Sequence, residues 1–350
     1  MNVKVFKGNF FEIGQQQGEI YKNNGMNFDK LKIDYPLLYK KQLQVYKKYY
    51  PEALEELKGV AQAGNFDKDK LFYSFLCSEI LAYAYKFGLD VNKACTIFGV
   101  SNKNGVFIGR NYDWLAVTEN FFQIYKVRNP KINSYIAVSD MGITSEALAK
   151  PKYLSYCPDD LVNNKGLFIS LTFAYHLKWS YGLTYFHMLR FISEKCSSVE
   201  EAIEIFKKVP LDCPKNFFIA DKNGKMVVVE HASGRKFKVR YPQDSILIIT
   251  NHYVDPELAK EDIVLKYLPS HNTFLRYYET LFKINQRKGD LKLADVIGIL
   301  GDTKSYVCQN LILNKVHIKT IWTLALDMKR QKYQIYWDLF SERKLKTLEV

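Results

Sequence analysis

The chain has 350 residues, of which 47% are hydrophobic and 15% aromatic, a composition that excludes an intrinsically disordered protein. Its formal net charge is +13, but only nine of the 50 basic residues are arginines and the lysines are scattered, so no clustered nucleic-acid-binding face is indicated. No run of about 18 uncharged apolar residues predicts a membrane span, and the first residues lack the apolar core of a secretory signal. We therefore expect a cytoplasmic globular protein without a nucleic-acid or membrane partner.

The first 94 residues predict mainly helices. Apolar residues recur at helical spacing from Phe10 to Asn24, from Leu37 to Ala63 with an interruption at Pro51, and from Leu71 to Phe87. The sequence from Gly88 to Ala94 then predicts a connecting loop.

After Cys95 the pattern changes to strands and hairpins. Two apolar strands, Cys95–Ser101 and Val106–Tyr112, flank the hairpin turn Asn102-Lys103-Asn104-Gly105. Further strands are predicted at residues 122–127, 134–139, 166–173, 216–221, 225–231, 245–250, 320–327 and 332–337, and helices at 185–194, 199–207, 271–284 and 291–300. Helices followed by many antiparallel strands predict an α+β protein in which helices cover sheets.

The six cysteines do not form a metal or disulfide pattern. Their spacing is wide and irregular, without a C-x-x-C pair, so we expect free thiols, at Cys77, Cys95, Cys157, Cys196, Cys213 and Cys308. Nucleotide-binding, zinc-protease, calcium-loop and G-x-S-x-G motifs are also missing. We expect neither a cofactor nor a metal.

Cys95 is the most informative residue. If the peptide bond between Ala94 and Cys95 is cut, one residue carries both a thiol nucleophile and a free α-amine. Such an amine ordinarily has a pKa of roughly 8 and can accept the thiol proton near neutral pH. This arrangement predicts an enzyme that processes itself.

Three polar residues are candidate partners of the thiol. Arg110 and Asp113 lie on the return strand of the same hairpin, but three residues apart they face opposite ways in a regular strand. A bend or a strand end near Asn111 would bring both to Cys95, so that Asp113 holds the amine and Arg110 orients Asp113 or a substrate carbonyl. Asn251 ends an apolar strand and offers an amide N–H of the kind used in oxyanion holes.

Other interpretations exist for each residue taken alone. A cysteine on an apolar strand is usually a core residue, and an asparagine after a strand is usually a turn residue. His252 beside Asn251 suggests a Cys-His hydrolase, although no papain-like motif surrounds Cys95. The aromatic cluster that includes Trp179 lines an acyl pocket or packs in the core. The order and spacing of Cys95, Arg110 and Asp113 favour the catalytic interpretation.

These residues carry a resemblance to the N-terminal-nucleophile hydrolases of the linear-amide type, a group of penicillin acyltransferases, bile-salt hydrolases, penicillin V acylases and acid ceramidase relatives. Four more segments resemble the acyl-CoA:6-aminopenicillanic acid acyltransferase branch, in the right order along nearly the whole chain. They are the E-x-G-x-x-x-G segment Glu12–Gly18, the A-D-x-x-G hairpin Ala220–Glu230, the strand end Thr250-Asn251-His252-Tyr253 and the helix start Ser270–Arg276.

The resemblance implies a four-layer αββα sandwich that cleaves itself between Ala94 and Cys95. Residues 1–94 would be a mainly helical pro-segment or small chain within the same globule, and residues 95–350 the catalytic chain. Cys95 would then attack an amide or thioester carbonyl, with its amine as base and Asn251 as oxyanion donor. Arg110 and Asp113 would position Cys95, and Arg276 would orient the substrate or support the site.

Two positions depart from the family pattern. Many relatives carry glycine before the nucleophile where this chain has Ala94, and the added methyl group narrows the conformations of the scissile bond. The bile-salt hydrolases have a second asparagine where this chain has Thr172. We expect Thr172 at this position to contact the substrate. The other expected substrate contacts are Phe173, Trp179 and His252.

The expected ligand is a small N-acyl compound, with acyl-CoA as a candidate donor, and the pattern is compatible with a homo-oligomer. The same acyl-enzyme serves hydrolysis and acyl transfer, so the sequence leaves both open. The rivals are an unprocessed binding protein with the same fold, a Cys-His hydrolase that uses His252, and a nucleic-acid or anionic-surface binder.

Overall fold

Two β-sheets lie face to face, and helices cover the outer face of each. The computed structural model describes residues 2–28, 30–84, 94–140, 156–176, 178–264, 272–287, 289–313 and 316–350. Strands of one sheet contact strands of the other, while separate groups of helices contact each sheet from outside. The predicted four-layer αββα architecture is confirmed.

The helices begin and end close to their predicted bounds. Pro51 starts a new helix because its ring fits the first helical position and ends the helix before it, so the stretch from Leu37 to Ala63 becomes two helices. The helices are α1 (Phe10–Asn23), α2 (Pro36–Tyr49), α3 (Pro51–Gly64), α4 (Lys68–Ala84), α5 (Tyr185–Lys195), α6 (Val199–Lys208), α7 (Pro256–Ala259), α8 (Thr273–Asn285) and α9 (Leu293–Leu300). The predicted loop from residue 88 lies outside the described residues up to Lys93.

The first sheet has eight strands in the order β1-β4-β5-β6-β7-β8-β9-β10. Neighbours are antiparallel except β1 and β4, which are parallel. Its strands are β1 (Lys4–Lys7), β4 (Gln123–Arg128), β5 (Tyr135–Ser139), β6 (Pro158–Asn163), β7 (Leu167–Phe173), β8 (Lys215–Asp221), β9 (Met226–Ser233) and β10 (Lys236–Arg240).

The second sheet has the order β11-β2-β3-β13-β14-β15, and β12 also pairs with β13. All its pairs are antiparallel. Its strands are β2 (Ala94–Asn102), β3 (Gly105–Leu115), β11 (Ile246–Ile249), β12 (Asn310–Leu313), β13 (Val316–Asp327), β14 (Lys332–Trp337) and β15 (Lys344–Leu348). The predicted hairpin is confirmed, with Asn102 opposite Gly105.

Apolar side chains form a separate core in each of the three layer boundaries. Ile97, Phe168 and Trp322 belong to the core between the two sheets. A larger core lies between the first sheet and helices α1 to α6, and a smaller one between the second sheet and helices α8 and α9. A side chain of β2 or β3 therefore faces either the first sheet or the outer helices, which decides what it can contact.

The E-x-G-x-x-x-G segment is a helix-packing device. A Cβ atom on Gly14 would lie 1.9 Å from the carbonyl oxygen of Glu56, and one on Gly18 would lie 2.5 Å from that of Val60. Helices α1 and α3 can therefore approach this closely only because these positions lack a side chain. Glu12 caps the start of α1, where it accepts a hydrogen bond from the backbone of Asn9.

The segment before Cys95 contacts the rest of the chain through polar bonds as well as through its core. Arg190 on α5 donates two hydrogen bonds to Glu56 on α3 and also pairs with Glu194. Gln42 on α2 donates to the carbonyl oxygen of Gly182 at 2.6 Å. Strand β1 also pairs with β4 and forms the edge of the first sheet.

Within the described residues, no helix is long and apolar enough to cross a membrane.

Candidate active site

Cys95 lies in the second sheet, near the start of the strand next to the edge strand β11. It is the second residue of β2 and is 1% exposed. Strands β11 and β3 flank β2 on either side. Tyr112 is its direct partner on β3. Its side chain belongs to the core between the sheets. The thiol therefore faces the first sheet, while its backbone is held within the second.

The backbone nitrogen of Cys95 is bound by Asn251. The N–H of Cys95 donates to Asn251 Oδ1 at 2.8 Å, and Arg276 Nη2 donates to the same oxygen at 2.8 Å. Thr273 Oγ1 fixes Asn251 in turn by accepting its backbone N–H at 2.8 Å. The nitrogen that would become the α-amine is thus already bound to a side-chain acceptor.

Arg276, on the first turn of α8, binds four oxygen atoms around this nitrogen. Besides Asn251, it donates to the carbonyl oxygen of Cys95, to Thr96 Oγ1 at 3.1 Å and to Asn272 Oδ1 at 2.8 Å. All four acceptors are neutral. Because the guanidinium is fully buried, desolvation lowers the pKa of Arg276 despite the nearby Asp113 carboxylate.

Arg110 lies on the same face of the second sheet as the thiol, beside Tyr112. Its Nε donates to Asp160 Oδ1 at 2.6 Å across the sheet interface, and its guanidinium stacks 4.7 Å from the Tyr112 ring. In the described part of the chain, its two terminal nitrogens are buried without a hydrogen-bond acceptor. Burial alone lowers the pKa of Arg110, but the charges of Asp160 and Cys95 outweigh it and raise that pKa.

Asp113 lies on the opposite face of the sheet, directly across from Ala94. Its carboxylate accepts hydrogen bonds from Thr320 Oγ1 at 2.6 Å and from Gln309 Nε2 at 3.2 Å. Burial raises the pKa of Asp113 to about 6, although Arg276, the Thr320 hydroxyl and other donors counteract that rise. The carboxyl group therefore titrates just below neutral pH.

The prediction of a bend or a strand end near Asn111 is wrong, because β3 runs on to Leu115. Strand β3 keeps regular pairing with β2 from Gly105 to Asp113, and the irregularity lies on β13 between Thr320 and Trp322. Arg110 and Asp113 consequently approach Cys95 from the two faces of one sheet. Arg110 donates to Asp160, not to Asp113.

Asn251 and Thr172 lie close together where the two sheets meet. Thr172 Oγ1 donates to the carbonyl oxygen of Thr250, and Asn251 Nδ2 donates to the carbonyl oxygen of Phe173 at 3.0 Å. An amide nitrogen carries two N–H groups, so Asn251 Nδ2 has a second N–H besides the one bound to Phe173. The Thr172 hydroxyl instead braces the strand end that carries Asn251.

His252 has the surroundings of a structural histidine. Its Nδ1 is within hydrogen-bond distance of the hydroxyls of Thr250, at 3.1 Å, and Thr273, at 2.9 Å, and its ring stacks on Phe274. Burial, with the charges of Arg276 and Arg240, lowers the pKa of His252 to about 3. So weak a base is poorly suited to take a proton from a thiol.

The predicted aromatic contacts divide into two groups. Phe173 is half-buried beneath Lys215, whose Nζ lies 4.2 Å from the ring centre, and its carbonyl reaches Asn251. Trp179 is partly exposed and packs edge-on against Tyr181 at 5.6 Å. The structure therefore brings Phe173 to the site, whereas the Trp179 ring packs against Tyr181.

Several residues around the site carry no clear sequence signal. Asp160 has a weak signal, because it is one of two adjacent aspartates directly before the apolar residues Leu161 and Val162. Thr320, Gln309, Asn272 and Thr273 are ordinary polar residues whose spacing along the chain reveals nothing. Among the described residues, no group of three or more His, Cys, Asp or Glu side chains could hold a metal ion.

Comparison with known proteins places this geometry in context. The family model of acyl-coenzyme A:6-aminopenicillanic acid acyl-transferase matches residues 100–342, more than half of the chain. No match was found among the curated proteins.

Solved structures with a similar fold include penicillin V acylase from Agrobacterium tumefaciens, with a TM-score of 0.50 and 17% identity over 73% of this chain and 86% of that one. A mutant of conjugated bile acid hydrolase from Clostridium perfringens has a TM-score of 0.47 and 16% identity, covering 73% and 97%. The Caenorhabditis elegans ortholog of N-acylethanolamine-hydrolyzing acid amidase has a TM-score of 0.47 and 15% identity, over 67% of this chain and 93% of that one.

Proposed function

Because the chain belongs to the acyl-coenzyme A:6-aminopenicillanic acid acyl-transferase family, we propose that it is a self-processing cysteine amidohydrolase or acyltransferase acting on a small N-acyl compound. The observation that carries the proposal is the hydrogen bond from the Cys95 nitrogen to Asn251 Oδ1 at 2.8 Å. Any buried backbone N–H needs an acceptor. Here a side-chain amide that Arg276 also binds supplies it, which is the arrangement that would hold the amine of an N-terminal nucleophile beside its thiol.

Processing begins with the Cys95 thiol. Its sulfur attacks the carbonyl carbon of Ala94, the carbon–nitrogen bond breaks, and a thioester joins Ala94 to the sulfur while the nitrogen becomes a free amine. Water then hydrolyses the thioester, which leaves a carboxylate on Ala94 and restores the thiol. Ala94 has an extended backbone within β2, a conformation that alanine adopts without strain.

Catalysis then uses the freed amine as the base. The amine takes the thiol proton, and the buried Arg110 guanidinium stabilises the thiolate on the same face of the sheet. The thiolate attacks the acyl carbonyl, Asn251 Nδ2 donates to the oxyanion, and the leaving amine takes the proton back from the ammonium group. Asp113 and Arg276 fix the charge and position of the Cys95 nitrogen.

The resulting acyl-enzyme is a thioester that can react with water or with an amine. The family description favours acyl transfer with acyl-CoA as donor, and the name of penicillin V acylase favours amide hydrolysis. Both reactions use the same residues, so the proposal covers both. A cytoplasmic location, in which acyl-CoA is available, belongs to the same proposal.

The test is denaturing mass spectrometry of the purified protein. We expect two chains separated between Ala94 and Cys95, and a single intact chain for Cys95→Ala. Cys196→Ala, which removes a buried thiol from the core between the first sheet and its helices, is the matched control and should be processed normally. A Cys95→Ala protein that is still cut there contradicts the proposal.

One observation favours a second candidate, an unprocessed binding protein of the same fold. Ala94 is 3% exposed and Cys95 is 1% exposed, so neither the scissile bond nor the thiol faces solvent. This candidate predicts one intact chain and no acyl label on Cys95 after incubation with penicillins, N-acyl amino acids and acyl-CoA thioesters.

A further inference from the structure

The buried guanidinium of Arg276 and the buried carboxylate of Asp113 influence each other without a direct hydrogen bond between them among the described contacts. Gln309 lies between them. Its Nε2 donates to Asp113 Oδ2 at 3.2 Å and lies 3.5 Å from Asn272 Oδ1. Asn272 Oδ1 also accepts the hydrogen bond from Arg276 Nε.

Gln309 is itself fixed by Thr320, so its position is set by the second sheet. The backbone N–H of Gln309 donates to Thr320 Oγ1 at 2.8 Å, and the backbone N–H of Thr320 donates to the carbonyl oxygen of Gln309 at 2.8 Å. The Thr320 hydroxyl then donates to Asp113 Oδ1. Gln309 is 2% exposed and Thr320 is 1% exposed, so water cannot readily replace these donors.

We infer that Gln309 is a positioning residue that connects Asp113 to Arg276 through Asn272 and thereby holds Arg276 against Cys95. The inference rests on the proposed function. The resulting line of hydrogen bonds runs from Asp113 to Gln309, Asn272, Arg276 and Asn251, and it ends at the Cys95 nitrogen. Gln309 touches neither the thiol nor the acyl group, so it acts through these neighbours.

The chemical consequence concerns the protonation of Asp113. Two donors, from Gln309 and Thr320, favour its ionised form, as do the charges of Arg276 on α8 and Arg110 on its own strand. Cys308 also lies near Asp113, and burial raises the pKa of its thiol to about 12, so it is neutral here. Ionised Asp113, across from Ala94, stabilises the protonated amine that forms when the thiol is activated.

The experiment measures alkylation of Cys95 by iodoacetamide between pH 4.5 and 9, followed by peptide mass spectrometry on processed protein. The acid limb is the pH range in which the alkylation rate of Cys95 falls as the pH is lowered. Gln309→Met, which is nearly isosteric but has no donor, should move this limb to a pH higher by roughly one unit. Gln309→Glu should move it further, because a second carboxylate beside Asp113 raises the pKa of the pair.

Thr320 provides a paired check on the same carboxylate. Thr320→Val loses the hydroxyl donor and should move the acid limb upward, whereas Thr320→Ser keeps the donor and should retain the wild-type limb. Gln334→Leu, on β14 of the same sheet, is the matched control and should leave the limb unchanged. Thr320→Val also keeps the Asp113 side of the inference testable if a Gln309 variant does not fold.

The outcomes separate this inference from the proposed function. An acid limb that stays in place in Gln309→Met and Gln309→Glu overturns the inference, even if their thermal stability falls, because a purely structural role would lower stability alone. If wild-type Cys95 reacts no faster than Cys308 at every pH, the proposed nucleophile itself is refuted, and the inference with it.

Discussion

The backbone N–H of Cys95 donates to the side-chain oxygen of Asn251 at 2.8 Å, although the two residues are 156 positions apart in the chain. Each belongs to a segment of the second sheet, Cys95 to β2 and Asn251 to the residues just after β11. Asn251 thus has two tasks in the proposed reaction, to hold the nucleophile's nitrogen and to donate to the oxyanion.

Substitution of Asn251 should separate these tasks. Asn251→Asp keeps an acceptor for the Cys95 nitrogen but loses the amide donor, so we expect chains that are still processed but turn over about 10²–10³-fold more slowly. Asn251→Ala should lose both processing and turnover. Mass spectrometry and acyl-transfer rates measure the two effects, with Asn164→Asp at an exposed turn as control. Normal turnover in Asn251→Asp would exclude its amide as oxyanion donor.

The proposed effect of Arg110 on the Cys95 thiol should be separable from its structural pairing with Asp160. Arg110→Met leaves the Asp160 carboxylate buried without its cation, at a cost of about 3–5 kcal/mol in the free energy of unfolding. The double variant Arg110→Met with Asp160→Asn should regain much of that stability, because the uncompensated charge is gone. Its Cys95 thiol should nevertheless stay slow toward iodoacetamide, since the thiolate has lost its cation. Recovery of thiol reactivity together with stability would show that Arg110 serves only the fold.

The pH dependence of turnover should show a limb near pH 6. Burial raises the pKa of Asp113 to about 6, so its carboxylate becomes protonated as the pH falls through that value. Activity that needs the ionised form is therefore lost below pH 6 and is complete above it. A profile of turnover between pH 4.5 and 8 measures the limb, and Asp113→Asn should be inactive at every pH. A wild-type limb below pH 5 would contradict this assignment.

His231 should make the fold sensitive to acid. Its two ring nitrogens are buried without hydrogen-bond partners in the described structure, and burial lowers its pKa to about 3. Between pH 6.5 and 3 the unfolded chain binds the proton and the folded chain does not, so stability falls by about 1.4 kcal/mol per pH unit. His231→Phe, packed between Phe206 and Phe237, should flatten this fall in urea unfolding. His317→Phe, at an exposed site, should not.

The two pieces of a processed chain should stay together. Glu56 on α3 is bound by two nitrogens of Arg190 on α5, and β1 pairs with β4. Native mass spectrometry should therefore give one species near 40.9 kDa where denaturing conditions give two. Arg190→Met should weaken the association, because Glu56 is left buried without its cation. Loss of residues 1–94 from the wild-type protein on gel filtration would contradict this prediction.

Much of the fold follows from local sequence. The helices α1 to α6 and the hairpin at Cys95 have strong periodicity or turn signals, and the structure confirms them. The strands that sequence reasoning missed lie mostly at sheet edges. Three of them, β1, β10 and β15, are short, partly exposed and carry charged residues, and β12 has only four residues. Edge strands bury little apolar surface, so their hydrophobic pattern is weak.

The site was predictable only in part. Cys95, Arg110, Asp113 and Asn251 have chemically distinctive side chains next to apolar strands, and the structure brings them to one strand pair and its neighbour. The neutral residues that hold them could not be found this way. Gln309 reaches Asp113 only because an irregular residue on β13 sets the register, and nothing in the local sequence marks that irregularity.

The interior position of β2 has a mechanical consequence. Strand β3 pairs with it from Ala94 onward and β11 from Ile97 onward. The residue after the proposed cut, Cys95, is therefore anchored by its pairing with Tyr112, which does not depend on chain continuity. The proposed cleavage would therefore break one bond in a folded structure and leave the new chain end held by its neighbours. The protein would gain an amine without a refolding step.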